Sequence, residues 1–274
     1  MHLRIRHRTT YRFDEDQRRL IQLARLTPPS FAGQTVTSWD VAIDRDARLR
    51  PARDGYGNET VMIYVDGPLD TLTIEVAGEV LTEDRAGIVQ GTAEPLPPAV
   101  FLRETALTRP DAAIVALATD ILARGDTILS RLHALNRELG ERLRFDVSGM
   151  DVSRTAAAAI AQGHGVCQDF AHVFVTAARV IDIPARYVSG HLFRRDGLDE
   201  QPAAHAWAEA YVDGLGWVGF DPANGISPDD AYVRVAVGLD YREAAPIAGS
   251  RIGSGGETLD VSVAVTQAGT QRQY

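Results

Sequence analysis

Lysine is absent from this 274-residue sequence, so all 28 of its positive side chains are arginines. They are outnumbered by 37 acidic residues, which gives a formal net charge of −9. Binding to nucleic acids usually needs a basic surface that neutralises phosphates. The excess of negative charge therefore argues against DNA or RNA as a partner.

Cysteine is almost as scarce, and Cys167 is the only one. A single cysteine cannot form an internal disulfide, and it cannot supply the cysteine pair that is typical of structural zinc sites. Free cysteines are most often small buried hydrophobic residues. That structural interpretation applies to Cys167 unless its neighbours indicate otherwise.

Long apolar runs are missing as well, since none approaches the roughly 20 residues that a membrane-spanning helix needs. The first residues, MHLRIRHRTTYRF, alternate basic and apolar side chains and lack the apolar core of a secretion signal. The sequence thus predicts a cytoplasmic protein without a membrane partner. Its 45% hydrophobic and 24% charged residues are typical of a globular protein.

The hydrophobic pattern divides the chain into two predicted domains. Residues 1–90 show the two-residue alternation of β-strands, and a glycine- and proline-containing linker is expected between residues 83 and 98. Residues 99–274 begin with helical periodicity and end with strands, so the predicted fold class is α+β with a β-rich amino-terminal domain. The helices predicted for this second domain are 112–124, 129–139, 155–162 and 167–181, and the strands are 185–193, 205–212, 217–221, 232–237 and 258–265.

Cys167 follows the flexible turn Gly163-His164-Gly165 and stands at the start of a predicted helix that Pro184 limits. The unpaired N–H groups and the positive dipole end of a helix N-terminus favour a thiolate over a thiol. A structural cysteine has no need of such a position, whereas a nucleophile gains from it. Cys167 is therefore a candidate nucleophile.

A nucleophilic cysteine needs a histidine to take its proton, and seven histidines are available. His205 is the best placed, because it shares one face of a predicted strand with Trp207, Glu209 and Tyr211 while alanines occupy the other face. The other six are expected to be reserve candidates (His164 and His191), a structural residue on another face of the Cys167 helix (His172) or surface and half-buried residues (His2, His7 and His133).

Asp221 ends the next predicted strand, immediately before Pro222. If the loop between the two strands has an odd number of residues, Val212 faces Gly216 and Asp221 becomes the diagonal neighbour of His205. Diagonal neighbours on one face have Cβ atoms about 7 Å apart, which suits a hydrogen bond between carboxylate and imidazole. A two-residue loop would turn Asp221 to the opposite face, and Glu209 is the next candidate for its role.

Four segments carry these candidates: GVCQDFAH (165–172), IPARYVSG (183–190), HAWAE (205–209) and GWVGFDPAN (216–224). They closely resemble the core of bacterial transglutaminase-like proteins, and the resemblance covers nearly the whole chain. The first strands with Tyr56-Gly57-Asn58 are similar to the β-domain that precedes this core. Residues 237–247 resemble its tail motif, although Leu239 stands where many members have an arginine.

The resemblance implies a papain-like fold in which Cys167 is the nucleophile, His205 is the general base and acid, and Asp221 orients His205. It implies acyl transfer from an amide through a thioester, with no metal and no organic cofactor. The oxyanion of such a reaction needs a donor, and the backbone N–H of Cys167 is the leading candidate because it lies at a helix start. Gln162 or Trp207 is considered as a second donor.

Two functions from different classes follow from these features. The first is a cysteine hydrolase of peptide or isopeptide-like amides, with an amine-transferring transglutaminase as a variant of the same chemistry. The second is a catalytically silent module that binds a peptide or a protein. In each case the expected partner is a peptide or protein, and the loops 194–201 and 225–230 are expected to determine specificity.

Overall fold

The first and fourth strands are the longest elements of the fold. In the computed structural model, which describes residues 1–148 and 151–269, β1 spans His2–Ala24 and β4 spans Glu59–Thr82. They pair antiparallel, and β2 (Gln34–Ile43) and β3 (Arg48–Arg53) both pair with β4. Alternate side chains of this sheet point into an apolar core, as the two-residue alternation of the sequence predicted.

Gly67 and Pro68, two residue types that are common in turns, are a continuous part of β4. The register of the pairing between β1 and β4 shifts between Arg12 and Arg19, and Gly67 lies opposite this irregularity. A Cβ atom on Gly67 would lie 1.9 Å from the carbonyl oxygen of Gln17. The glycine therefore serves a close approach of two backbones at a bulge and does not end the strand.

The middle of the chain forms helices and a second sheet. The helices are α1 (Ala112–Leu122), α2 (Ile128–Arg142), α3 (Ala156–Gln162), α4 (Cys167–Val180) and α5 (Tyr241–Ala244), with a short 3-10 helix at Pro98–Leu102. The remaining strands are β5 (Ile88–Val89), β6 (Arg144–Phe145), β7 (His164–Gly165), β8 (Ala185–Leu192), β9 (Glu200–Gln201), β10 (His205–Val212), β11 (Gly216–Phe220), β12 (Tyr232–Gly238), β13 (Ile247–Ile252) and β14 (Glu257–Gln267).

Five antiparallel strands make the second sheet in the order β12-β8-β10-β11-β5. Helix α4 packs on one face of this sheet, where β10 presents Ala206, Ala208 and Ala210. Small side chains allow the helix to approach the strand closely, as the alternation of small and large residues along 205–212 predicted. Helices on an antiparallel sheet confirm the α+β class.

The structure differs from the predicted division in the second predicted domain, residues 99–274, of which 149–150 and 270–274 lie outside the described residues. Strands β13 and β14 pair with β1, and β9 pairs with β14, so all three belong to the first sheet. The sheet order is β2-β4-β1-β14-β9. Strand β1 therefore pairs with β4 on one edge and with β13 and β14 on the other. Local sequence patterns do not report a pairing between strands so far apart.

Two side-chain amides join the first domain to the outer edge of β12. The Gln34 amide accepts from the Arg234 N–H and donates to its carbonyl, both at 2.8 Å. The Asn58 amide does the same at Val237, at 2.8 and 2.7 Å. Because a buried strand edge must have its N–H and C=O groups paired, these amides replace a missing neighbouring strand. Within residues 1–148 and 151–269, none of the helices combines the length and apolarity needed to span a membrane.

Candidate active site

Cys167 is the first residue of α4 and is partly buried. Its side chain packs beside a cluster that includes Ala171, Tyr187 and Ala206, so it lies between the helix and the sheet. As the first helical residue it has a backbone N–H without an intrahelical acceptor. The prediction that a helix begins near Cys167 is confirmed, and the N–H is available at the position expected of an oxyanion donor.

Asp169 fixes the start of α4. Its carboxylate accepts from the backbone N–H of Val166 at 2.9 Å and from the Arg154 guanidinium at 3.1 Å. Burial raises the pKa of Asp169, against the opposing effects of the Val166 N–H and Arg154. Gly165 leaves room for this carboxylate, because a Cβ atom there would lie 2.5 Å from Asp169 Oδ2. The glycine before Cys167 is thus needed for packing as well as for the turn.

The hairpin of β10 and β11 has the register that places Asp221 beside His205. Val212 is paired with Gly216 and Ala208 with Phe220, so the loop contains the odd number of residues that the prediction required. The Nε2 atom of His205 lies 2.6 Å from Asp221 Oδ2. The Asp221 side chain is fully buried, and that of His205 is 10% exposed.

Asp221 accepts further hydrogen bonds from its surroundings. Its Oδ1 atom accepts from the backbone N–H groups of Ala223 and Asn224 at 3.0 and 3.2 Å. Its Oδ2 atom accepts from the Asn224 amide and from the Tyr232 hydroxyl, both at 2.7 Å. Burial alone would raise the pKa of Asp221, but the charge of His205 and these hydrogen bonds hold it below its ordinary value. The carboxylate is therefore ionised beside the imidazole.

Burial by itself would lower the pKa of His205, but the charges of Asp221 and Cys167 and their hydrogen bonds to the ring raise it to about 10. Since Nε2 is bonded to Asp221, Nδ1 is the nitrogen left for Cys167. The imidazole thus joins the two groups. A thiolate, an imidazolium and a carboxylate in this order can attack a carbonyl carbon, protonate a leaving group and keep the histidine oriented.

The two auxiliary oxyanion candidates occupy other surroundings. Gln162 is the exposed last residue of α3, followed by Gly163 in a left-handed conformation. Trp207 packs with Tyr232 and stacks on the His205 ring with centroids 6.1 Å apart, in a different cluster from Cys167. The structure thus stacks Trp207 on the imidazole, and the role of Gln162 or Trp207 as a second oxyanion donor stays a prediction.

The residues considered as alternatives to Asp221 and His205 make their contacts outside the site. Glu209 is fully buried between Arg186 and Arg234, whose guanidinium groups donate to it at 2.6 and 2.7 Å. His172 accepts from the Tyr241 N–H at 3.0 Å, which agrees with its expected structural role. His164 lies 4.0 Å from Asp146 and His191 is buried against His7, so neither reserve candidate forms part of the site. His7 itself is buried, although a surface or half-buried position was expected.

Sequence reasoning missed the two side chains that complete the surroundings of Asp221. Asn224 stands three residues beyond Asp221 in the turn Asp-Pro-Ala-Asn, and turn chemistry could have suggested its contact with the aspartate. The sequence around Tyr232 contains no local pattern that predicts its contact with Asp221. Its approach depends on the position of β12 beside β8, which no local pattern specifies.

The fold, together with Cys167, His205 and Asp221, defines a class of papain-like proteins with a cysteine, histidine and aspartate site. Residues 115–222 match the family described as the transglutaminase-like superfamily, and residues 3–81 match the bacterial transglutaminase-like N-terminal region. An uncharacterized protein of Mycobacterium leprae is 31% identical over 278 residues, covering 97% of this chain and 98% of that protein. The chain belongs to the bacterial transglutaminase-like family.

Other similar proteins agree with this assignment. An uncharacterized protein of Mycobacterium tuberculosis is 30% identical over 301 residues, covering 96% of this chain and 91% of that protein. The solved structure of a candidate cysteine protease from Cytophaga hutchinsonii superimposes with a TM-score of 0.78 at 19% identity, covering 100% of this chain and 92% of that one. At that identity the similarity concerns the fold, and it supports the papain-like architecture.

Proposed function

We propose that this protein is a cysteine-dependent hydrolase of peptide or isopeptide-like amides. The observation that carries the proposal is the short hydrogen bond between His205 and Asp221, 2.6 Å long. The same imidazole also interacts with Cys167, which is the first residue of α4. The name of the Cytophaga hutchinsonii protein points to the same class of activity for a protein of this fold.

The proposed reaction begins with attack of the Cys167 thiolate on the amide carbonyl carbon. The carbonyl electron pair moves to oxygen, and the Cys167 N–H stabilises the resulting oxyanion. When the C–N bond breaks, the His205 imidazolium gives its proton to the leaving amine, and a thioester remains on the sulfur. His205 then takes a proton from water, the hydroxide oxygen attacks the thioester, and the thiolate leaves.

The central test combines Cys167→Ala with a glutamine-containing donor peptide, offered with and without a small primary amine. Ammonia, hydrolysed peptide and amine adduct are measured separately. We expect wild-type protein to give mostly hydrolysed peptide, and Cys167→Ala to give none while staying folded, because losing the thiol costs at most about 1 kcal/mol of packing. Turnover in the alanine variant would show that another residue is the nucleophile.

The same assay separates the alternatives. Adduct in excess of hydrolysed peptide at modest amine concentration would identify an amine-transferring transglutaminase. Incubation of the protein alone cannot make this distinction, because a chain without lysine has no side-chain amine to form a homopolymer. A catalytically silent binding module would leave Cys167 unreactive towards iodoacetamide near pH 6, where an activated thiolate reacts readily.

A further inference from the structure

The two carboxylate oxygens of Asp221 accept hydrogen bonds from different parts of the chain. Oδ1 accepts from the backbone N–H groups of Ala223 and Asn224, which belong to the same turn. Oδ2, the oxygen that meets His205, also accepts from the Asn224 amide and the Tyr232 hydroxyl. Asn224 belongs to the same turn, and its amide also donates to the Tyr232 hydroxyl at 3.4 Å, so its link to the rest of the sheet runs through Tyr232.

Tyr232 is different because it comes from β12. That strand pairs with β8, and β8 pairs in turn with β10, which carries His205. The Tyr232 hydroxyl lies 2.7 Å from Asp221 Oδ2, so it connects the turn after β11 with the far side of the same sheet. The Asp221 carboxylate is therefore held by a contact across four strands in addition to the register of the β10–β11 hairpin.

The ring of Tyr232 also borders the imidazole. Its centroid lies 5.8 Å from that of His205 and 5.5 Å from that of Trp207, and the residue is 6% exposed. The rings of Tyr232 and Trp207 both pack against the imidazole, and the Asp221 side chain is fully buried. Burial and the charge of Asp221 raise the pKa of Tyr232 far above its ordinary value, so the hydroxyl remains a neutral donor.

We infer that Tyr232 is a positioning residue that acts through Asp221, holding its Oδ2 atom where it orients the His205 imidazole. The inference rests on the proposed function. Tyr232 acts on the rate by limiting the rotation of the carboxylate. Removal of the hydroxyl leaves the turn bonds at Oδ1 intact and frees Oδ2 from its contact with β12.

A double-mutant cycle with Tyr232→Phe and Asp221→Asn tests this inference, with p-nitrophenyl acetate as a substrate that needs no side-chain recognition. Phenylalanine keeps the ring contacts with His205 and Trp207. We expect Tyr232→Phe to lower kcat about tenfold and to change KM by less than about twofold, because only the orientation of the imidazole is affected. In the Asp221→Asn background the same change should cost less than about twofold, since a residue that acts through Asp221 has nothing left to orient.

Tyr56→Phe is the matched control. It removes another bond from a phenol to a carboxylate, to Glu243 at 2.5 Å, away from the site, and should leave kcat unchanged. Unchanged kcat in Tyr232→Phe, or the same tenfold loss in both backgrounds, would overturn the inference. Wild-type turnover equal to that of Cys167→Ala would instead overturn the proposed function, and the two failures are therefore distinguishable.

Discussion

The Nε2 atom of His205 and the Oδ2 atom of Asp221 lie 2.6 Å apart, at the end of a hairpin whose register is set by a three-residue loop. Val212 accepts from the Leu215 N–H at 3.0 Å, and Gly214 and Gly216 take positive φ angles that favour glycine. A short turn thus determines whether the two catalytic candidates share a face of the sheet.

Replacement of Asp221 by asparagine should leave the fold intact and lower kcat by at least about 100-fold, because the amide can stabilise the wrong tautomer of the imidazole. The measurement is turnover of p-nitrophenyl acetate at saturating concentration, with circular dichroism to verify folding. Asp213→Asn, an exposed change in the loop of the same hairpin, is the matched control and should be neutral. Full activity of Asp221→Asn would remove Asp221 from the mechanism.

The charge state of His205 can be measured directly by ¹⁵N NMR of the histidine rings. Since the charges of Asp221 and Cys167 raise its pKa to about 10, the His205 ring should remain an imidazolium at pH 8. Asp221→Asn removes one of these charges, so the ring should become neutral at a lower pH than in the wild type. A neutral His205 in the wild type at pH 7 would contradict the ion-pair geometry.

Acid should destabilise the contact between the two sheets. Burial lowers the pKa of His7 to about 4 and that of His191 to about 3, and the rings lie 5.6 Å apart between β1 and β8. Below pH 6.5 the unfolded chain binds protons that these native histidines do not, so stability present at neutral pH is lost as pH falls towards 4. The free energy of unfolding should decrease by about 1 kcal/mol or more per histidine between pH 7 and pH 5.

Urea unfolding at pH 7 and pH 5 measures this loss. His191→Phe keeps an aromatic ring against His7 and removes one titrating group, so its stability should depend less on pH than that of the wild type. An equal decrease in the two proteins would show that His191 does not contribute. His172, whose pKa burial lowers to about 4, acts in the same direction in both proteins and cancels in the comparison.

Gly165→Ala should impair both stability and turnover. The added Cβ would lie 2.5 Å from Asp169 Oδ2 and 2.6 Å from Asp169 Cβ, so Asp169 must leave the Val166 N–H that it holds. We expect a loss of about 1–3 kcal/mol in unfolding free energy and a lower kcat, because the start of α4 carries Cys167. Gly55→Ala, which meets no atom within 4 Å, is the control and should change neither quantity.

Local sequence patterns were sufficient for the elements that carry the catalytic candidates. The apolar spacing before Pro184 predicted a helix that begins near Cys167, and the structure has α4 at Cys167–Val180. Alternation along 205–212 and the turn that follows predicted which residues of β10 share a face, and the register of β10 and β11 agrees. Helix spacing and hairpin geometry are short-range properties, so a sequence can report them.

Contacts between distant segments were decided by the tertiary structure. The pairing of β13 and β14 with β1 and the bond from Tyr232 to Asp221 both join residues of different segments. Each depends on which strands become neighbours in a sheet, and that order reflects the total buried surface and not the pattern of any one segment. Local patterns were enough to identify Cys167, His205 and Asp221 as the groups that can react, whereas the strand order of the second sheet brings Tyr232 to Asp221.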